Sequence, residues 1–289
     1  MDINNIKYKK ITIPNGSQIE YSYLNASENK RPIVFLYGLV CNNRHFEPQI
    51  SHFARKGHPI LIQNYRHHFG STSTESLDLC NFEKIAEDCH LVMQKLDIKN
   101  PIVIGHSMGV NVAIELSLRK GADIHGLVLI SGSPHRPQDF MFNTNLSEVI
   151  IPLAKKIFGS KPKIFKRVWK NSYKSRLLRL MVLRGGFNPS FVEDEFVKYY
   201  VKKIGELGSD VFFKLIEEMK NHNLTTKLHL VNCPTLVMGG DLDKIAPIEG
   251  QIIFKNYIKG SSFYLIKDGS HVPQIDFPKT VNEQIESFI

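Results

Sequence analysis

Three residue types that together can break an acyl bond occur in this chain in an order that lets them cooperate. Ser107 lies in Gly105-His106-Ser107-Met108-Gly109, Asp243 in Gly239-Gly240-Asp241-Leu242-Asp243, and His271 in Asp268-Gly269-Ser270-His271. A serine hydroxyl attacking a carbonyl must lose its proton to a positioned base. The histidine that takes the proton needs a carboxylate to hold its tautomer and to stabilise the imidazolium. With an oxyanion site opposite, these groups would form and then hydrolyse an acyl-enzyme. Asp241 competes with Asp243 for the carboxylate role.

Such residues are useful only where the backbone brings them together, and the flanking sequence supplies the frame. Residues 101–104 are a short β-branched run that reads as a buried strand, and 110–120 reads as a helix. A serine between two glycines at a strand-to-helix junction is the nucleophile-elbow pattern: the tight turn lifts the hydroxyl above the sheet, and small flanking residues let strand and helix close on each other. Residues 7–13 and 18–23 read as an antiparallel lead-in joined by Asn15-Gly16. Strands at 32–37, 59–63 and 126–130 then alternate with helices at 46–54 and 82–96. This alternation predicts a mostly parallel, doubly wound sheet covered on both faces. The rhythm stops after Pro134: helical patterns at 149–158, 164–182 and 192–201 carry no convincing strand between them. The sheet resumes at 235–239 and 262–266, and an amphipathic helix over 278–288 ends the chain. Both carboxylates and His271 therefore fall just after predicted strands, where ligand sites of open α/β sheets lie.

Composition narrows the class. A chain of 289 residues with 42% hydrophobic and 22% charged residues reads as a soluble globular protein, not a disordered or coiled-coil one. No apolar run is long enough for a membrane span, and the first residues lack the pattern of an export signal. Cys41, Cys80, Cys89 and Cys233 have neither metal-ligand nor disulfide-framework spacing, so a reducing, cytoplasmic setting is expected. Cys41 reads as a small apolar filler. His67 and His68 have no acidic or cysteine companion at ligand spacing, and no metal or cofactor is implied. His45, His90, His125 and His135 are assigned to packing or surface. The net charge is +9, yet residues 149–192 alone hold eleven basic residues and no acidic one, so the rest of the chain is slightly acidic. That basic stretch also holds Phe158, Ile164, Phe165, Trp169, Leu177, Leu178, Met181 and Leu183, which read chiefly as the core of a helical insertion, with Phe165 and Trp169 as candidates for substrate contact. Its charge would suit a lipid-like or anionic acyl compound, or transient contact with an anionic membrane surface. Nucleic acid is not expected, because no binding module accompanies the charge.

Over nearly its whole length the chain resembles the α/β-hydrolase-fold serine hydrolases, most of all the esterase and lipase-like members with a helical cap. Residues 234–247 are similar to that family's strand, glycine and D-x-x-x-P segment, and Pro247 points to Asp243. Residues 268–277 resemble its G-x-H loop, which makes His271 the general base. The resemblance implies a hydrolase core over 1–134 and 225–289, a cap over 135–224, and carboxylesterase-like hydrolysis through Ser107, His271 and Asp243. It places the oxyanion hole at the backbone amides of Met108 and Leu39. The same triad could instead serve thioester or carbon-carbon bond hydrolysis, acyl transfer or perhydrolysis, and the scaffold could also bind a ligand without catalysis. Two departures stand out: Tyr37-Gly38 where relatives usually have His-Gly, and Asn64 and His67 in a segment that keeps Arg66, Gly70 and Ser71.

Overall fold

The computed structural model describes residues 6–24, 29–135 and 162–289. Eight strands form one sheet in the order β1-β2-β4-β3-β5-β6-β7-β8. β1 (Lys9–Thr12) and β2 (Gln18–Leu24) form the antiparallel lead-in, and β2 pairs antiparallel with β4 (Ile60–Gln63). β3 (Ile33–Leu36), β4, β5 (Ile102–His106), β6 (Gly126–Ile130), β7 (Thr235–Gly240) and β8 (Ser262–Ile266) run parallel. Every residue of β3, β4, β5, β6 and β7 is buried, which is why those strands read as unbroken apolar runs instead of alternating. β3 lies beside β5, and the connection leaving β3 turns to β4 while the one leaving β5 turns the other way, to β6. A crevice opens at such a reversal, beyond the carboxyl ends of the strands.

Helices α1 (Glu47–Arg55), α2 (Phe82–Lys95) and α3 (Met108–Ser117) follow β3, β4 and β5. Asn81 caps α2 by accepting from the Lys84 amide at 2.8 Å. α3 begins at Met108, two residues earlier than periodicity predicts, because the elbow leaves Ser107 as the single joint between strand and helix.

Between β6 and β7 the described residues hold four α-helices and no strand: α4 (Pro162–Lys170), α5 (Arg176–Gly186), α6 (Asp194–Leu207) and α7 (Ser209–Asn221). The single helix expected over 164–182 is two. Ser175 ends the intervening turn and caps α5, its hydroxyl accepting from the Leu178 amide at 3.2 Å. The helix expected over 149–158, with Phe158, Lys155, Lys156 and Lys161, lies outside the described residues. The two ends of the inserted segment meet at a neck: His135 and Asn223 form an antiparallel bridge, and the Leu224 amide donates to the Pro134 carbonyl at 2.8 Å. α8 (Ile248–Tyr257) follows β7, and after β8 a single turn at Pro273–Asp276 leads into α9 (Pro278–Phe288). Among the described residues no helix is long and apolar enough to cross a membrane.

Candidate active site

Ser107 holds φ 55° and ψ −121°, a left-handed backbone that costs a serine about 1–3 kcal/mol. The surroundings impose it. A Cβ on Gly105 would come within 2.6 Å of the Gly109 carbonyl oxygen, and one on Gly109 within 2.1 Å of the Leu36 carbonyl oxygen. Glycine at both ends is thus what allows β5, α3 and β3 to close around the serine.

The Ser107 hydroxyl donates to His271 Nε2 at 2.9 Å. His271 Nδ1–H lies 3.1 and 3.0 Å from Asp243 Oδ1 and Oδ2. Asp243 Oδ1 also accepts from the amides of Ile245 and Ala246, each at 2.9 Å, and its side chain is fully buried. A carboxylate oriented by two backbone donors receives the imidazole in one tautomer, leaving Nε2 bare toward the hydroxyl. Asp241 is exposed. The structure therefore brings Ser107, His271 and Asp243 together and leaves Asp241 outside.

The loop holding His271 is clamped from several sides. His106 Nε2–H donates to the His271 carbonyl at 2.8 Å, the Ser270 amide donates to Asp276 Oδ2 at 2.7 Å, and Asn188 Nδ2 donates to the Asp268 carbonyl at 2.9 Å. A carbonyl can only accept, so Nε2 of His106 carries the proton. Burial, reinforced by the neighbouring His271, holds the His106 pKa well below the ordinary histidine value, and the ring is neutral. Burial likewise pushes the Cys41 thiol up and leaves it without nucleophilic character.

Because β3 is hydrogen-bonded to β5, the loop leaving β3 runs beside the elbow. A Cβ on Gly38 would lie 2.8 Å from Ser107 Cβ. Leu39 follows directly, and neither its amide nor that of Met108 enters a loop hydrogen bond to the backbone. Among the described residues both amides thus stand without a loop partner on the segments that flank Ser107, where an oxyanion site would need donors.

The model of the alpha/beta hydrolase fold family matches residues 31–278. The chain belongs to that family. AB hydrolase superfamily protein YisY of Bacillus subtilis is 24% identical over 276 residues, covering 89% of this chain and 91% of its own. Among solved structures, the esterase EaEST from Exiguobacterium antarcticum superposes with a TM-score of 0.74 at 17% identity, over 98% of this chain and 99% of that one. The bromoperoxidase from Bacillus anthracis reaches a TM-score of 0.76 at 18% identity, over 98% and 99%.

Within this alpha/beta hydrolase the two departures of sequence turn out to be partners. Tyr37 Oη donates to Asn64 Oδ1 at 3.1 Å and accepts from the Tyr65 amide at 3.0 Å, while Tyr65 Oη donates to the Tyr37 carbonyl at 2.7 Å. Asn64 Nδ2 donates in turn to Glu20. This buried network anchors the residue immediately before Gly38-Leu39. Arg66, buried in the same segment, makes a two-pronged pair with Asp88 at 2.7 and 2.8 Å and reaches Glu75 at 2.6 Å. His68 is buried, its Nδ1–H donating to the Arg66 carbonyl at 2.9 Å. Among the described residues no cluster of three His, Cys, Asp or Glu is placed to hold a metal ion.

Phe165 and Trp169 stand on α4, apart from the hydrogen bonds of Ser107, His271 and Asp243. They pack with Phe212 and Phe213 inside the helical insertion, and Trp169 Nε1 donates to the Ile204 carbonyl at 3.0 Å. The insertion faces the catalytic loops with other residues. Phe187 and Phe196 pack with Val272, next to His271, and His45 meets the rings of Phe196 and Tyr200 at 5.1 and 5.2 Å. Sequence reasoning passes over Phe187 and Phe196 because no motif marks them. The available signal is an aromatic residue, Phe187, between Gly186 and Pro189, and a second, Phe196, in the helical pattern that follows.

Proposed function

We propose that this alpha/beta hydrolase cleaves carboxylic esters, with Ser107 as nucleophile, His271 as general base and then acid, and Asp243 as the carboxylate that orients it. The unbroken hydrogen-bond chain from the Ser107 hydroxyl through His271 to Asp243 carries this reading. Ser107 Oγ attacks the acyl carbonyl as its proton passes to His271 Nε2. The amides of Leu39 and Met108 meet the oxyanion, and His271 returns the proton to the departing alkoxide. Water, deprotonated by His271, then attacks the acyl-enzyme, releases the acid and restores the serine. On this reading residues 135–224 are a cap over the core, and the apolar contact of Phe187 and Phe196 with Val272 favours an apolar acyl or alkyl group beside His271. The similarity to a solved esterase supports ester cleavage, and four free cysteines suit the cytoplasm.

The similarity to a bromoperoxidase favours perhydrolysis as a second reading, in which hydrogen peroxide takes the place of water on the acyl-enzyme and leaves as a peracid. Turnover of short p-nitrophenyl esters, with and without peroxide, separates the two by product. Ser107→Ala should abolish turnover and labelling by a fluorophosphonate. Undiminished turnover in that variant would remove Ser107 from the mechanism, and a native protein that fluorophosphonate fails to label would be a binding protein.

A further inference from the structure

The inserted helices carry apolar residues on the wrong side for a structure concerned only with its own core. Of the fourteen exposed large hydrophobic residues in the described protein, six lie within residues 164–181. On α5, Leu177, Leu180 and Met181 are spaced to share one helical face, with Leu177 67% and Met181 62% exposed. Ile164 and Val168, one turn apart on α4, are each 60% exposed, while Phe165 and Trp169 on the other side of that helix pack inward. Ile164, Leu177 and Met181 are therefore not core, contrary to what their sequence suggests.

The same segment is strongly basic. From Lys163 to Arg184 there are eight lysines and arginines and no acid. Lys166 pairs with Asp210 at 2.7 Å and Arg179 lies 3.9 Å from Asp194, while the other six make no ion pair among the described residues. Arg176 and Arg184 bracket the outward apolar row of α5.

We infer that the outer face of α4 and α5 docks on an anionic lipid bilayer. Cationic side chains would meet lipid phosphates while Leu177, Leu180, Met181, Ile164 and Val168 enter the acyl boundary. A soluble polyanion such as a nucleic acid would satisfy the charge but leave the apolar row in water, and a second copy of the chain would bring two cationic faces together. The opposite side of α5 explains what docking would serve: Val182 and Leu183 pack on Phe187, Phe196 and Val272, so the docked helix is the one that backs onto the His271 loop. The inference goes beyond ester cleavage and does not depend on it.

Co-sedimentation of the full chain with phosphatidylcholine vesicles, with and without phosphatidylglycerol, tests it. Partitioning onto the anionic vesicles should be roughly tenfold stronger or more and should weaken as salt is raised. Replacing Arg176 and Arg184 by glutamate should remove the preference for phosphatidylglycerol. The pair Leu177→Ser and Met181→Ser should weaken vesicle binding while leaving retention on heparin unchanged, with thermal melting confirming that each variant is folded. Equal binding to both vesicle types, or none, overturns the inference, as does vesicle binding that the serine pair leaves intact and soluble heparin competes away. Light scattering that finds a dimer which the serine pair dissolves would assign the face to a second copy instead. Should any variant fail to fold, the comparison of neutral with anionic vesicles on the native protein still decides.

Discussion

Asp243 owes its orientation to the amides of Ile245 and Ala246, which both donate to Oδ1. Replacing it with asparagine keeps the size but substitutes an N–H group where the imidazole needs an acceptor, so the tautomer inverts and Nε2 no longer accepts the serine proton. The rate constant kcat for a soluble ester should fall roughly 10³- to 10⁴-fold in Asp243→Asn. Asp241→Asn, an exposed change, should stay within about twofold of the native rate. Equal losses in both variants would reject the choice between them. A second residue acts at one remove. Tyr65 Oη donates to the Tyr37 carbonyl, one peptide before Gly38-Leu39, and both rings are fully buried. Tyr65→Phe strands that carbonyl at a cost of about 1–3 kcal/mol in stability, measurable by urea titration. If the network holds the Leu39 amide in place, kcat should drop with little change in KM, whereas a purely structural role would lower stability alone.

The elements differ in how openly the sequence announces them. β3 to β6, α2, the elbow and α9 are legible because local pattern and tertiary role agree: strands buried on both faces are apolar throughout, and Asn81 and Pro278 mark helix starts. Ser107, Asp243 and His271 are legible for the same reason, each standing just past a strand whose end can be read. The insertion is less so. Its helix break at Ser175 depends on a cap hydrogen bond within an otherwise helical stretch. Which apolar residues face inward is decided by partners far along the chain, such as Phe212 for Trp169 and Val272 for Phe187. The segment after β4 lies between these cases. Its retained Arg66 marks a structural role, but Glu75 lies farther along the same connection and Asp88 stands on α2, and only the fold reveals the buried pair joining that loop to α2. Arg66→Leu leaves the Asp88 carboxylate buried without its counter-charge and should cost about 3–5 kcal/mol, read from the shift in denaturant midpoint. Stability preserved in that variant would show that the loop is held by other contacts.

At the scale of the molecule, basic charge is concentrated on the insertion, while the part of its joint with the core nearest His271 is built from uncharged rings and apolar side chains. His45 lies at that joint, fully buried against the rings of Phe196 and Tyr200. Burial, helped by the nearby His271, lowers its pKa to about 3 despite an opposing backbone contribution from Asn42. An unfolded histidine takes up a proton below about pH 6.5, and the folded one refuses it until the solution is far more acid. The unfolded state therefore binds more protons throughout that window, and stability contributed by the neutral ring is lost as pH falls from about 6.5 toward about 3, at up to about 1.4 kcal/mol per pH unit. His68, buried with a pKa lowered to about 4, adds to the same trend over its own narrower window. His45→Phe retains an aromatic ring between Phe196 and Tyr200 and removes the titration. Urea unfolding at several pH values should find the variant losing less stability on acidification, by about 1.4 kcal/mol per unit between pH 6 and 4. A difference between the two proteins that does not change with pH would mean that His45 protonates in the folded state, and that the joint admits water where the rings now exclude it.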